Sequence, residues 1–484
     1  MQLPIVFILL LLPVANLWAA SIEEISQLVG DGHWQEARAE IAQESTRTNL
    51  SFQTRQDLLF QSDRMQRIRL DFNKTRERVI EEARATVPSL SEEQFTDWEN
   101  AGSVEFLEID GTRWYYSQAA ANLFRLNPEA RALKAKLQPG TGPKKLYRLD
   151  DIRNVIANYD QTGDQLNSPR TWRVTYVLSV KPGAAPPGEV IRAWLPFPHE
   201  GARQNNIRLI ATDPPKSILS DSNAALASVY LERSALADQP TKFKIVFECT
   251  CDAFYQPIDP TRLVPVDTND PVLGSFLGEQ PPNIVFSDEI KQLSQQIVGS
   301  ETNSYLKARR IFEWVTQHVT WTTAREYSTL ECLPHYALSG HHGDCGIKTM
   351  TFMTLCRFNG IPARWETGWT TDPVKDMHDW CEIYLAPYGW VPADVTFGLA
   401  DSGDGREKWF YLGGIDAGRF VVNTDYAQPL YPAKTFFRSE IVDFQRGEVE
   451  WRGGNLYFNQ WSYDYNVEEI PPIRPARTTD SAAE

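Results

Sequence analysis

Residues 341–364 read HHGDCGIKTMTFMTLCRFNGIPAR, and they form the most informative segment of the chain. The largely apolar run that begins at Cys345 predicts a buried helix. Asn359-Gly360 is a typical C-terminal cap, and Pro362 prevents the helix from continuing. A cysteine in the first turn of such a helix faces the positive end of the helix dipole. We therefore expect a lowered pKa for Cys345 and a favoured thiolate.

A predicted hairpin follows this helix and carries two further polar residues. One strand begins near His378 in HDWCEIYL, and the chain returns in WVPADVTFG, which contains Asp394. Antiparallel strands of this kind bring both residues to the same end of a sheet. An imidazole can hold a thiol ionised, and a carboxylate can fix the tautomer of that imidazole. The sequence therefore predicts a catalytic triad of Cys345, His378 and Asp394.

These residues resemble the transglutaminase-like superfamily, a branch of the papain-like cysteine enzymes, in a bacterial exported form. The resemblance covers about a fifth of the chain, between residues 300 and 400. It rests on three blocks in the expected order: Gly343-Asp344-Cys345 followed by Leu355-Cys356-Arg357 and Gly360-Ile361-Pro362-Ala363-Arg364; His378 with Trp380 and Glu382; and Gly389-Trp390-Val391-Pro392 leading to Asp394. The resemblance implies an α+β fold with a Cys-His-Asp triad for acyl transfer.

The chemistry implied by the resemblance is attack of the Cys345 thiolate on an amide carbonyl, often that of a glutamine side chain. The backbone N–H of Cys345 would stabilise the oxyanion, with the indole N–H of Trp321 as candidate second donor. His378 would protonate the leaving amine. Water then gives hydrolysis and an amine gives a cross-link, and the sequence leaves both open. Asp379 departs from the family pattern, and this second carboxylate could compete for the imidazole.

Composition bounds the remaining possibilities. The 484 residues carry a net charge of −15, which argues against a nucleic-acid partner. With 42% hydrophobic and 23% charged residues, the chain has the composition of a globular protein. The resemblance implies a peptide or protein substrate. Six cysteines neither form a disulfide scaffold nor identify the redox compartment. No cofactor is expected.

The pattern along the chain predicts a multidomain α+β protein. The predicted parts are a signal peptide at 1–20, a mainly helical N-terminal region at 21–165, a β-sandwich domain at 170–256, the transglutaminase-like core at 285–399, an aromatic-rich β extension at 400–470 and a disordered tail at 471–484. Within the helical N-terminal region, residues 53–86 predict one long helix. Asp110-Gly111 predicts a tight hairpin.

The N-terminus predicts export. Residues 4–18 form an apolar run that ends at Ala19, Ala20 and Ser21, a pattern typical of a secretory signal peptide. An uncleaved anchor is the alternative, but the run is shorter than the ~20 residues needed to span a bilayer. We expect a periplasmic or extracellular protein with no integral membrane span after cleavage.

The sequence also contains candidate zinc ligands and candidate aromatic stacking residues. Cys332, His335, His341 and His342 are candidate zinc ligands, but no CxxC or HxxxH pairing supports them, and we expect no metal site. Trp451 and Trp461 favour the core of the last region over stacking on sugar rings. A catalytically silent binding or scaffold module of the cell envelope, with glycan binding, is the alternative to an enzyme.

Overall fold

A computed structural model of the chain describes residues 21–140, 145–222 and 224–472. The predicted signal peptide and residues 473–484 of the predicted tail lie outside these ranges. Helices and antiparallel sheets alternate through the described part, so the fold is α+β as expected. Within those ranges, no helix combines the length and the apolar character needed to cross a membrane.

The N-terminal part is mainly helical. Its elements are α1 (Ile22–Gly30), α2 (Trp34–Ser45), α3 (Phe52–Asp71), β1 (Phe72–Lys74), α4 (Arg76–Thr86), α5 (Glu92–Asn100), β2 (Phe106–Ile109), β3 (Thr112–Tyr116), α6 (Ala119–Leu126), α7 (Pro128–Leu137) and α8 (Leu149–Thr162). The predicted hairpin is confirmed, because Asp110 and Gly111 both adopt positive φ between the paired strands β2 and β3.

The single helix predicted over 53–86 is wrong. The chain leaves the helical conformation at Phe72, which pairs with Tyr116 across β1 and β3. Thr75 then caps a new helix, because its hydroxyl accepts a hydrogen bond from the backbone N–H of Arg78. Strand pairing and a local cap therefore override the helix-forming composition of this segment.

The remaining elements form the middle and C-terminal parts. They are β4 (Leu166–Val180), β5 (Val190–Pro196), β6 (Gln204–Asp213), β7 (Ser217–Leu219), β8 (Ser228–Ser234), β9 (Thr241–Tyr255), α9 (Pro271–Ser275), α10 (Asp288–Ile297), α11 (Ser304–His318), β10 (Thr320–Trp321), α12 (Leu333–Gly340), β11 (His342–Gly343), α13 (Cys345–Phe358), β12 (Ala363–Thr370), β13 (Asp376–Leu385), β14 (Gly389–Ala393), α14 (Gly405–Lys408), β15 (Gly414–Ile415), β16 (Arg419–Asn423), β17 (Glu448–Trp451), β18 (Gly454–Leu456) and β19 (Trp461–Ile470).

Two five-stranded sheets contain strands from distant parts of the sequence. One has the order β15-β9-β4-β19 with β6 also paired to β9, and the other has the order β18-β17-β5-β8-β7. The C-terminal strands β17, β18 and β19 therefore complete the sheets that β4 to β9 begin. The sequence suggested a separate extension at 400–470. Instead, strands of this region belong to the same sheets as the β-rich region before the core. Trp461 is accordingly buried between the sheets.

The central core combines α10 to α13 with a four-stranded antiparallel sheet of order β14-β13-β12-β16. Helix α13 is buried from Gly346 to Arg357 and packs against β12 and β13. The short strands β10 and β11 pair in parallel just before α13, with Trp321 opposite Gly343. This pairing sets the position of the helix start.

The N-terminal helices contact the segment that leads into this core. Asn122 of α6 forms two hydrogen bonds with the backbone of Thr323, donating to its carbonyl at 2.8 Å and accepting from its N–H at 3.1 Å. Tyr116 donates to the carbonyl of Ala324 at 2.5 Å, and Arg64 donates to that of Thr329 at 3.1 Å. The N-terminal region therefore holds the chain just after β10.

Replacing Asn122 by Ala should lower the free energy of unfolding by about 2 kcal/mol, because it removes two hydrogen bonds from a buried side chain. Urea unfolding of the full chain measures the change. Asn100, exposed at the end of α5, offers a control, and Asn100→Ala should change stability by less than about 0.5 kcal/mol. Equal effects of the two substitutions would contradict this role of Asn122.

Candidate active site

Cys345 is the first residue of α13. The side chain of Asp344 caps the helix by accepting a hydrogen bond from the backbone N–H of Ile347 at 3.3 Å. The helix ends at Phe358, and Gly360 follows with a φ of 77°, as the Asn-Gly signal predicts. Cys345 itself is partly exposed. The thiol therefore lies at the accessible start of an otherwise buried helix.

The structure brings His378 and Asp394 together. His378 lies on β13, and Asp394 directly follows β14, which pairs with β13 with Ala393 opposite Cys381. The Nε2 atom of His378 lies 2.8 Å from Oδ2 of Asp394. An ionised carboxylate can only accept, so Nε2 carries the proton and Nδ1 is left as the acceptor.

The Asp394 carboxylate has four hydrogen-bond donors around it. Arg419 Nη1 donates to Oδ2 at 2.7 Å, and the backbone N–H groups of Thr396 and Phe397 donate to Oδ1 at 3.0 Å. Burial by itself would raise the pKa of Asp394, but the charges and hydrogen bonds of His378 and Arg419 outweigh it and hold the pKa below its usual range. Asp394 is therefore ionised in the folded protein.

Aromatic rings hold the imidazole of His378 in place. The ring of Phe397 lies 4.9 Å from the imidazole centroid, and the ring of Trp380 lies 5.8 Å from it in a stacked arrangement. His378 is only 5% exposed. The guanidinium of Arg419 lies 4.3 Å from the centre of the Phe397 ring and completes the packing.

The Cys345 thiol contacts a different carboxylate. Its Sγ donates a hydrogen bond to Oδ2 of Asp379 at 3.2 Å, and among the described residues no hydrogen bond joins it to His378. Successive side chains on a strand point to opposite faces of the sheet. His378 and Asp379 are neighbours on β13, so Asp379 faces α13 and does not compete for the imidazole, contrary to the expectation from sequence.

The electrostatic environment of the thiol also differs from expectation. The helix N-terminus predicted a lowered pKa for Cys345. Instead, burial first, and then the negative charges of Asp379 and Asp344, raise the pKa of Cys345 well above its usual value. Burial, together with two nearby carboxylates, outweighs the partial charge of the helix dipole. The thiol is therefore protonated at neutral pH in this arrangement.

Lys348 is a buried cation beside the site that sequence reasoning missed. It lies one turn after Cys345 on α13 and is only 4% exposed. Burial lowers its pKa to about 8, although the charges of Asp394 and Cys345 act in the opposite direction. Arg419 was also missed, because it lies 25 positions after Asp394 and belongs to no motif. Its isolated position in sequence gave no signal.

Trp321 lies close to the helix start but its proposed role stays a prediction. It is paired with Gly343, two residues before Cys345, and its side chain is 36% exposed. The guanidinium of Arg125 lies 4.4 Å from the centre of the indole ring. No hydrogen bond of the indole N–H is found among the described residues.

Three of the four candidate zinc ligands bond to separate partners. His335 bonds Glu289 at 3.2 Å, His342 bonds the hydroxyl of Thr322 at 2.9 Å, and Cys332 donates to the carbonyl of Asn283 at 3.7 Å. His341 is exposed and adopts a positive φ. Across the described ranges, no three His, Cys, Asp or Glu side chains are grouped so that they could hold a metal ion.

The core thus combines a helix that begins at a cysteine with an antiparallel sheet that carries a histidine bonded to an aspartate. Residues 291–395 match the family model described as the transglutaminase-like superfamily. The match covers about a fifth of the chain and confirms the resemblance found in the sequence for that segment. The matched segment contains Cys345, His378 and Asp394.

Individual relatives are more distant. An uncharacterised protein of Haemophilus influenzae is 28% identical over 141 residues, and the match spans 23% of this chain and 37% of that protein's length. A crystal structure from Cytophaga hutchinsonii, named provisionally as a cysteine protease, is 17% identical with a TM-score of 0.42 and covers 64% of this chain and 94% of that one. The periplasmic domain of TgpA from Pseudomonas aeruginosa is 14% identical with a TM-score of 0.25 and covers 53% and 94%.

His342 should make folding sensitive to acid. Burial lowers its pKa from 6.5 to about 4, so the unfolded chain binds the proton first as the pH falls. Stability is therefore full above pH 6.5 and is lost as the pH falls towards 4. At pH 5 the loss is about 2 kcal/mol.

The measurement compares urea unfolding of the wild type and His342→Gln at pH 7 and pH 5. The variant should lack this part of the acid sensitivity, and His341→Gln should retain most of it, because burial is the main cause of the lowered pKa of His342 and the charge of His341 the smaller one. Identical pH dependence in the wild type and His342→Gln would refute the assignment.

Proposed function

We propose that this protein is an exported thiol enzyme that performs acyl transfer or hydrolysis on peptide or glutamine amides. Cys345 is the nucleophile, His378 the proton carrier and Asp394 the residue that orients the imidazole. The observation that supports this proposal best is the 2.8 Å contact between His378 and a buried, ionised Asp394 within a transglutaminase-like segment. That contact leaves Nδ1 as the only acceptor on the imidazole.

The proposed reaction proceeds in two stages. The thiol proton passes to Nδ1 of His378 as Sγ bonds the amide carbon. The first-turn backbone N–H of Cys345 is a free donor for the oxyanion, and Trp321 is the candidate second donor. The C–N bond then breaks and His378 protonates the departing amine. Water or a second amine finally attacks the thioester, and the thiol is regenerated.

A catalytically silent binding or scaffold module is the second candidate. One observation favours it: the thiol contacts Asp379 and has a raised pKa, so the nucleophilic thiolate is disfavoured. Glycan binding through the C-terminal aromatics has less support. The Trp461 ring is 3% exposed and its indole N–H donates to the carbonyl of Leu456, so its faces are covered.

We also propose export to the periplasm or beyond. The support is the apolar run at residues 4–18 followed by Ala19, Ala20 and Ser21. Intact mass of the protein recovered from a fractionated cell tests this directly. Cleavage near Ala20 with recovery outside the cytoplasm is expected. Recovery of the full-length chain in the cytoplasm would refute export.

Activity on glutamine peptides should depend on the triad. Ammonia release from peptides with and without glutamine, measured with and without a primary amine, distinguishes hydrolysis from transfer. Cys345→Ala should abolish release, and His378→Ala should lower kcat by about 100-fold to 10,000-fold because the proton carrier is lost.

Matched controls separate chemistry from folding. Cys332→Ser changes the other partly exposed cysteine, and His341→Ala changes an exposed neighbouring histidine. Both should keep wild-type rates. A Cys345→Ala variant that folds and releases ammonia at the wild-type rate would eliminate the proposed function, as would a complete lack of activity on every peptide amide in the wild type.

A further inference from the structure

The side chain of Asp379 touches the proposed reacting atom, yet the proposed mechanism gives it no role. Its Oδ2 accepts the hydrogen bond from Sγ of Cys345 at 3.2 Å. The hydroxyl of Tyr327 lies 3.3 Å from the same oxygen but has a closer acceptor in Oδ1 of Asp344 at 2.8 Å, and Oδ1 of Asp379 accepts from Nε2 of Gln445 at 2.9 Å. Asp379 is 1% exposed. The carboxyl group is therefore held firmly against the thiol.

The helix start is shaped to allow this close approach. A Cβ atom on Gly346 would lie 2.2 Å from the hydroxyl oxygen of Tyr327 and 2.9 Å from Oδ2 of Asp379. The hydroxyl of Thr349 also donates to the backbone carbonyl of Asp379 at 3.2 Å, so α13 and β13 are bonded to each other at this point. The contact between Cys345 and Asp379 thus follows from tight packing of two elements.

The surroundings of Asp379 are rich in negative charge. The ionisable groups that act on Asp379 or on the thiol are Asp344, Asp443, Lys348 and Tyr327. Glu326, Glu440 and Arg446 lie one step further out and act on Asp443. The guanidinium of Arg446 pairs with the carboxylate of Glu326, with one hydrogen bond of 2.9 Å. Burial first, and then Asp443, raise the pKa of Asp379 well above its usual value.

We propose that Asp379 acts as a latch on the nucleophile: it holds the Cys345 thiol in its protonated resting form, away from His378. This inference rests on the proposed function, because it assumes that Cys345 is the reacting atom. No bond other than a hydrogen bond is involved. The latch opens when a proton neutralises Asp379 and removes the charge that opposes the thiolate.

A shared proton has a recognisable titration signature. While Asp379 is ionised, a thiolate beside it would create two adjacent negative charges, so the pair should lose its protons in two separated steps. The wild-type rate of Cys345 alkylation should therefore rise with pH in two steps with a flat region between them. Without the carboxylate, one step with a lower midpoint should remain.

The test measures iodoacetamide alkylation of Cys345 between pH 5 and pH 10 in the full chain, by peptide mass mapping in a Cys332→Ser background. Asp379→Asn keeps the size of the side chain and removes its charge. We expect a single step whose midpoint falls by at least about one pH unit, which is about 10-fold faster alkylation at pH 7. Asp376→Asn, at an exposed position of the same strand, should retain the wild-type profile.

A second variant should shift the midpoint of the alkylation profile in the opposite direction. It keeps the proposal testable if Asp379→Asn fails to fold. Tyr327→Phe removes a hydroxyl that lies 2.8 Å from Oδ1 of Asp344 and 3.3 Å from Oδ2 of Asp379. Both carboxylates lose a donor that offsets their negative charge, so they should oppose the thiolate more strongly and raise the midpoint. An unchanged midpoint in a folded Asp379→Asn variant would overturn the latch. So would slower alkylation without a shift, which would indicate only a structural role.

The two proposals fail in different measurements. A shifted alkylation profile in Asp379→Asn, together with no ammonia release by the wild type, would retain the latch and refute the amidase. Ammonia release that depends on Cys345 and His378, together with an unshifted profile in a folded Asp379→Asn variant, would retain the enzyme and refute the latch.

Discussion

The buried carboxylate of Asp394 is the interaction on which the geometry of the site depends. It accepts hydrogen bonds from His378, from Arg419 and from the backbone of Thr396 and Phe397. A buried charge that lost these partners would destabilise the fold by several kcal/mol. Because the donors come from β13, from β16 and from the loop after β14, one group joins three segments of the sheet and sets the direction of the imidazole.

Strand β13 presents its two faces to different halves of the site. His378 belongs to the Asp394 system, whereas its neighbour Asp379 faces α13 and accepts the hydrogen bond of the Cys345 thiol. The thiol thus has a choice between a base and a carboxylate that opposes its ionisation. In this arrangement the thiol is bonded to a carboxylate and not to the imidazole.

Much of this architecture could be predicted from residue patterns, but the relations between distant segments could not. The start of α13 at Cys345 and its end near Gly360 follow from local capping signals, and the Asp110-Gly111 hairpin follows from turn chemistry. Strand alternation alone could have predicted that Asp379 lies on the face opposite His378. The raised pKa of Cys345 could not be predicted, because the burial and the neighbouring charges that cause it depend on tertiary packing. Arg419 reaches Asp394 only through the pairing of β12 with β16. In the same way, β19 pairs with β4 across about 290 residues of sequence, with Ile470 opposite Thr171 at one end and Trp461 opposite Val180 at the other.

Acylation by an activated ester tests most directly whether Cys345 forms the proposed covalent acyl intermediate. Mixing the protein with p-nitrophenyl acetate should release a rapid burst of about one equivalent of nitrophenolate per chain, because acylation of a thiol nucleophile precedes slower deacylation. Rapid acid quenching and peptide mapping should then locate the acetyl group on Cys345. Absence of a burst, or acetylation of other residues with Cys345 unmodified, would contradict the account.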